Sequence, residues 1–245
     1  MLYFFRMIAT TLWVFYSSFV GILAGLARPF DPRNTKITVD LIAKGTRILG
    51  IKMDIRDNEI LDLARPCVFI CNHQSNLDIF TGGHVFAKNT VTIGKKSLLF
   101  IPFFGQFFWL AGNLFIDRKN KKKAVQTMDV ATAAIKDKKL SIWIMPEGTR
   151  SKGRGLLPFK KGAFLTAIKA QVPIVPIAIS SYTKHLDLKV WSSGKIIVQI
   201  LPPIITTGLK IEDATRLKDQ CHLLIKETIE KLDHEIESEI KNIKA

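Results

Sequence analysis

His73 and Asp78 stand five residues apart, just after a short apolar run, Val68 to Cys71, in the stretch His73-Gln74-Ser75-Asn76-Leu77-Asp78. A histidine takes up or releases a proton near neutral pH, and a neighbouring carboxylate can fix its tautomer and orientation. A pair working this way activates a hydroxyl, which is the chemistry of a transferase or a hydrolase. On one continuous helix, residues five apart point about 140° away from each other. The pair therefore cooperates only if the chain runs strand, short turn, helix. His73 then lies in the turn, and Asp78, in the first helical turn, reaches back to one ring nitrogen. The other nitrogen is left for a substrate proton. Taken alone the spacing is a weak signal, because the same two residue types fall five apart in many solvated turns.

Three further stretches carry polar groups that suit a phosphate ester or shape a pocket. Gly112 to Arg118 reads as a strand ending in a charged pair, and Arg118 offers a planar fork of donors. Met145-Pro146-Glu147-Gly148-Thr149-Arg150-Ser151 follows another strand-like run. Its glycine permits close backbone approach, and its hydroxyls and Arg150 suit a phosphate. Lys152, Arg154, Lys160 and Lys161 extend the basic patch, in which Glu147 is the odd anion with a specific polar role. In Val172 to Ile177, Pro173 and Pro176 bracket a strand start and suggest an edge or entry position without proton chemistry.

The elements that must position these groups follow from periodicity. Short apolar runs at 51–56, 68–71, 90–93, 113–116, 141–145, 174–179 and 195–201 read as strands. Helical patterns fall between them at 77–87, with Asn76 as cap, and at 122–135 and 162–170. Alternation of this kind predicts an α/β fold, a mainly parallel mixed sheet flanked by helices. A long charged helix is expected over 211–243, with the stripe Leu217, Cys221, Ile225, Ile229, Leu232, Ile236 and Ile240 packed inward. The cysteines number three, Cys67, Cys71 and Cys221; no second pair completes a zinc set, so no metal is expected and core packing in a reducing compartment explains them.

The N-terminus differs from the rest. Met7 to Ala27 is uncharged, rich in aromatics and long enough for a helix to cross the hydrocarbon layer. Gly25 and Ala27 offer a small-x-small cleavage site, but the apolar stretch is long for a signal peptide and Arg6 is its single leading charge. Arg28, Arg33, Lys36 and Lys44 follow, so a full span and a hairpin dipping into one leaflet both remain open. A loosely helical pattern over 37–49 completes a membrane-associated helical segment, residues 1–50, ahead of a catalytic domain, residues 51–245. Leu98 to Ile116 is a second uncharged run, broken by Pro102, Gly105 and Gly112 and read as an apolar surface or acyl-binding wall. The net charge of +15 favours anionic partners such as phospholipid headgroups, phosphorylated metabolites, an acidic carrier protein or nucleic acid. Against nucleic acid, there is no zinc set, aromatic RNA-binding motif or clear recognition helix.

The four stretches, in this order, resemble the four sequence blocks of the glycerolipid acyltransferase family, and most closely its bacterial 1-acyl-sn-glycerol-3-phosphate branch. The resemblance runs on through Gly94-Lys95-Lys96-Ser97-Leu98-Leu99, Ile101 to Gln106, Asp117-Arg118 and Gly153 to Lys160, and covers nearly the whole chain. It departs at Met145, where the family has phenylalanine, an apolar exchange. The resemblance implies an enzyme that transfers an acyl group from acyl-CoA or acyl-carrier protein to the 2-hydroxyl of 1-acyl-sn-glycerol 3-phosphate. The product would be phosphatidic acid for phospholipid biosynthesis, with no cofactor beyond the acyl donor. It implies His73 as general base supported by Asp78. Arg118, Glu147, Gly148, Thr149 and Arg150 would bind the glycerol-phosphate, and Pro173 and Pro176 would border the acyl or acceptor pocket. The implied location is the bacterial inner membrane, with the active site at its cytoplasmic face. A different lysophospholipid or glycerol 3-phosphate as acceptor, and a non-enzymatic binder of anionic lipid, are the alternatives.

Overall fold

The computed structural model describes residues 1–244. Its strands are β1 (Ile51–Arg56), β2 (Val68–Cys71), β3 (Thr90–Lys95), β4 (Leu114–Ile116), β5 (Ser141–Ile144), β6 (Ile174–Ile179) and β7 (Gly194–Ile200). The helices are α1 (Leu2–Ala27), α2 (Pro32–Ala43), α3 (Gly45–Ile48), α4 (Ile60–Leu63), α5 (Asp78–Gly83), α6 (Phe104–Leu110), α7 (Lys121–Lys138), α8 (Gly162–Ala170), α9 (Tyr182–His185) and α10 (Ala214–Lys244). The strands form one sheet in the order β1-β7-β6-β2-β5-β3-β4, and every pairing is parallel except β6 with β7. This is the expected mainly parallel α/β layer. Its consequence for function is directional, because β2 to β6 all end on one edge of the sheet.

Side-chain alternation splits the core in two. Val68 and Ile70 of β2 pack with Ala131 and Ile135 of α7, Phe164 and Ala167 of α8, and the α10 stripe from Leu217 to Ile236. Cys67, Phe69 and Cys71 point the other way, towards Ile42 of α2, Phe80 of α5 and Tyr182 of α9. Strands β2, β5 and β6 are buried throughout, as strands covered on both faces must be. All three cysteines are free and buried. Burial pushes the Cys67 and Cys221 thiols up to about 12 and raises Cys71 as well.

The proline reading needs correction. Pro176 lies inside an interior strand, between β2 and β7, and not at an edge. The Ile174 N–H bonds Ile204 on the β7 side, so position 176, two residues on, faces the same way. The β7 ladder begins only at Ile177 paired with Ile200, so the missing proline donor interrupts no ladder bond. Two helix readings also shift. The helical pattern expected over 37–49 begins earlier, at Pro32, and divides into α2 and α3: the Asp31 carboxylate accepts from the Arg33 N–H (2.8 Å), with proline in the first helical turn. The helix expected over 77–87 ends at Gly83, and its cap is Leu77, not Asn76.

The N-terminal helices are inverted relative to an ordinary surface helix. On α1, Arg6, Thr10, Ser17, Ser18, Gly21 and Gly25 face the protein, while Phe4, Phe5, Ile8, Leu12, Phe19, Leu23 and Leu26 face outward. On α2 the inward residues include Asn34, Thr35 and Thr38, and the Asn113 amide donates to the Thr35 hydroxyl (3.0 Å). Small side chains allow close packing: Gly21 lies against Thr38 and Phe107, and Gly25 against Leu110. The run from Leu98 to Ile116 forms a 3₁₀ turn, α6 and β4, and it exposes Leu99, Phe100, Ile101, Phe103 and Trp109. Phe103 meets Phe15 (5.9 Å) and Trp109 meets Phe30 (5.2 Å), so the exposed apolar groups of α1 and α6 join in one surface.

Gly83 ties α5 to α2. A methyl group there would lie 2.6 Å from the Val39 carbonyl oxygen, whereas the nearest atom to one at Gly82 is 3.7 Å away. Gly83→Ala is expected to destabilise the protein by about 1–3 kcal/mol in chemical denaturation, with Gly82→Ala near neutral as the paired control.

Candidate active site

The carboxyl ends of β2, β4 and β5 bring together the first three stretches singled out in the sequence; the fourth does not join them, because Pro173 lies at the amino end of β6, where its carbonyl accepts the Val68 N–H at the start of β2. At the end of β2 the Asn72 side chain carries the ladder one step further. Its Nδ2 donates to the Ile179 carbonyl (2.9 Å), and its Oδ1 accepts the Ile179 N–H (2.9 Å). Gln74 donates to the Ser180 carbonyl (2.8 Å). The loop between them, which carries His73, is thereby pinned to β6. On its other side the loop after β5 holds the His73 backbone at both polar atoms. The His73 N–H donates to Glu147 (2.5 Å), and its carbonyl accepts the Ser151 N–H (2.8 Å).

The His73 side chain meets Asp78 as the strand-turn-helix reading required. Nδ1 lies 2.5 Å from Asp78 Oδ2, which assigns the proton to Nδ1 and leaves the Nε2 lone pair for substrate. Asp78 is 3 % exposed, and its charge is met by further donors. Oδ2 also accepts the N–H groups of Gln74 (2.7 Å) and Ser75 (3.0 Å), while Oδ1 accepts the Tyr182 hydroxyl (2.5 Å). Ser75 Oγ completes the relay, 3.0 Å from the Tyr182 oxygen and accepting from the Leu77 N–H (3.0 Å). Burial and the Asp78 charge hold the Tyr182 proton firmly on its oxygen. Tyr182 was not singled out in the sequence. It lies more than a hundred residues from Asp78, and only the return of β6 beside β2 brings them together.

Glu147, grouped by sequence with the substrate-binding residues, is turned inward at 3 % exposure. One oxygen accepts from His73 and the other from the Leu157 N–H (2.9 Å). Burial pushes its carboxyl up to about 7; the two N–H bonds oppose the rise and the Asp78 charge adds to it. Beside it, Gly148 adopts a φ of +68°, and its carbonyl accepts from Arg118. The Arg118 guanidinium is held below its usual range by burial and by the like charge of Arg150. A side chain at Gly148 would lie 3.0 Å from Lys160 Nζ, so a third cation covers the same turn. Among the described residues, none of these three cations has a carboxylate partner. Clustered cations without a counter-charge form an anion site. Thr149 is exposed at the rim of the same loop.

Two substitutions test this framework. Tyr182→Phe leaves a buried carboxylate oxygen without its donor, and kcat is expected to fall about tenfold with KM nearly unchanged. Glu147→Gln sets an amide NH₂ against one of two backbone donors; about 1–3 kcal/mol of stability and at least about tenfold in kcat should be lost. The ordinary value of a Glu carboxyl is 4.5, so the raised carboxyl binds its proton more tightly in the folded chain than in the unfolded one. Its share of stability is full below about pH 4.5 and is lost as the pH rises through about 7. Denaturation midpoints across that window should show this slope flattened in Glu147→Gln.

Residues 52–180 match the family model described as Acyltransferase. The chain is 40% identical over 239 residues to the 1-acyl-sn-glycerol-3-phosphate acyltransferases of Salmonella typhimurium and Escherichia coli, covering 96% of this chain and 96% of each relative. The Haemophilus influenzae protein of the same name is 40% identical over 217 residues, covering 89% of this chain and 90% of its own. The crystal structure of the 1-acyl-sn-glycerophosphate (LPA) acyltransferase PlsC from Thermotoga maritima superposes with a TM-score of 0.72 at 22% identity. It covers 94% of this chain and 95% of that one, a likeness of fold. With a site of this geometry on that fold, the chain belongs to the acyltransferase family and is an enzyme.

Proposed function

We propose that the enzyme transfers an acyl group from a thioester donor to the 2-hydroxyl of 1-acyl-sn-glycerol 3-phosphate, giving phosphatidic acid. The observation that carries this reading is the pairing of His73 and Asp78 at the same sheet edge as the uncompensated cations Arg118, Arg150 and Lys160. A binder of anionic lipid would need the cations and not the pair. The names of the relatives, at 40% identity along almost the whole chain, support the acceptor.

His73 Nε2 removes the hydroxyl proton as the oxygen attacks the thioester carbonyl. Asp78, held in place by its other donors, stabilises the imidazolium that forms. The tetrahedral intermediate then breaks its C–S bond, and the imidazolium returns the proton to the departing sulfur. The buried, strongly thiol-stabilising surroundings of Cys67 and Cys71 argue against a covalent acyl-enzyme, since the thiolate is the nucleophile. Arg118, Arg150 and Lys160 hold the acceptor phosphate, and Glu147 acts on the reaction by positioning the His73 backbone.

The acceptor and product reside in a bilayer, and α1 supplies the surface for reaching it. Its contacts with the rest of the chain run from Arg6 near one end to Gly25 near the other, so the helix lies along the catalytic domain over its length. A helix held in this way along its length favours an in-plane placement, with its outward apolar face buried in one leaflet. The net charge of +15 favours an anionic leaflet, and use of a thioester donor supports the cytoplasmic face of the inner membrane. The donor is acyl-CoA or acyl-carrier protein, both anionic and both suited to the basic edge.

Incubating purified protein with lysophosphatidic acid and each donor in turn should yield phosphatidic acid; no product with either donor overturns the assignment. His73→Ala should lower kcat by about a hundredfold to ten-thousandfold. Lys160→Ala should raise KM for lysophosphatidic acid about tenfold or more, with little effect on a neutral monoacylglycerol acceptor.

A further inference from the structure

Arg6 is the one charged residue within the first 27, and it is 4 % exposed on the inward face of α1. Among the described residues no carboxylate answers it. Nη1 donates to the carbonyls of Leu188 (3.1 Å) and Val190 (2.5 Å) and to Ser193 Oγ (2.8 Å), and Nη2 donates to the Trp191 carbonyl (2.6 Å). Ser193 is anchored in turn, its hydroxyl donating to the Leu49 carbonyl (2.5 Å) and its N–H to that of Gly50 (2.8 Å). A buried guanidinium is tolerated only when its donors are met in fixed geometry. The loop between α9 and β7 is therefore fastened to the first turns of α1.

At the tip of that loop the side chains point away from the protein. Val190 is 48 % exposed and Trp191 82 % exposed, with the Trp191 ring 6.0 Å from the Arg6 guanidinium. Lys189 beside them is exposed too. Neither apolar side chain contributes to the core clusters. The tip lies beside the end of the helix whose outer face carries Phe4, Phe5 and Ile8, so it extends an apolar surface already present. An amphipathic indole with a neighbouring lysine has the chemistry of the headgroup level of a bilayer.

We propose that Val190 and Trp191 form a second bilayer contact at headgroup depth, and that Arg6 locks this loop and α1 into one membrane-facing unit. This rests on the in-plane reading of α1, and the test separates the two. Nitroxide labels are placed singly at Trp191→Cys, at Leu12→Cys on the outer face of α1, and at Lys231→Cys on α10. The native thiols are buried with raised pKa values and do not compete. Accessibility to oxygen and to a water-soluble nickel chelate is read in phosphatidylglycerol/phosphatidylethanolamine vesicles.

The ratio of oxygen to chelate accessibility at position 191 should be at least about fivefold that at position 231, with position 12 deeper still. A lipid-buried label at 12 with a label at 191 as open to chelate as at 231 overturns the inference and leaves the reading of α1 standing. Labels at 12 and 191 both in water overturn both. Shielding of 191 from both probes, with dipolar broadening, marks contact between copies of the chain and also overturns it. Arg6→Met should move the 191 label towards water while the label at 12 stays; an unmoved 191 label overturns the role of Arg6.

Discussion

Asp78 is a negative charge almost sealed from water, and the site is organised around satisfying it. Four donors converge on its two oxygens: the His73 ring, two successive backbone N–H groups and the Tyr182 hydroxyl. A buried charge lacking such partners would cost more than the fold could offset. Each donor comes from a segment that must therefore be where it is. The two N–H groups fix the turn after β2, the ring fixes the histidine tautomer, and the hydroxyl fixes α9 against α5. Glu147 has the complementary role farther out, joining the His73 backbone to the loop after β5.

The same carboxylate links the chemistry to the apolar surface of the molecule. Asp78 opens α5, and α5 is packed on the N-terminal helices through Gly83 against Val39 and Ala43 and through Phe80 against Gly45. Glycine at these contacts lets backbones approach to distances that a side chain would forbid. The N-terminal helical hairpin and Asp78 are thus neighbours in one packed layer, so the site is held in a fixed position relative to the outer apolar face of α1. The inversion of α1 follows from the same need: small and hydroxyl side chains face a protein already close-packed, and large apolar ones face outward.

The cationic turn shows electrostatics arranged for a ligand. Burial and the like charge of Arg150 disfavour the charge of Arg118, and Lys160 covers the same glycine. Left without a counter-ion this arrangement costs stability, which any anion bound there would offset. The left-handed turn at Gly148 brings its carbonyl to Arg118 and so aims the first of these cations.

Much of this is legible in the amino-acid order, because local patterns carry it. Alternating apolar runs determined the strands, and the parallel sheet followed from the helical stretches between them. The spacing of His73 and Asp78, with strand before and helix after, determined that they would meet. What the order of residues left open depends on chain segments far apart in sequence. Tyr182 has no local signal as a partner of Asp78, since only the placement of β6 beside β2 gives it one. Glu147 read as an odd anion in a basic loop, and its two backbone partners come from a turn 74 residues earlier and a residue ten later. Arg6 read as a flank of an apolar stretch and is a buried tie to a loop some 185 residues away. The apolar N-terminus was compatible with a span or an in-plane helix, because hydropathy records how apolar a helix is and not which face it turns to the protein. Tertiary packing decided which face that is, by filling the inward face of α1 with the small and polar side chains that a hydropathy average cannot resolve.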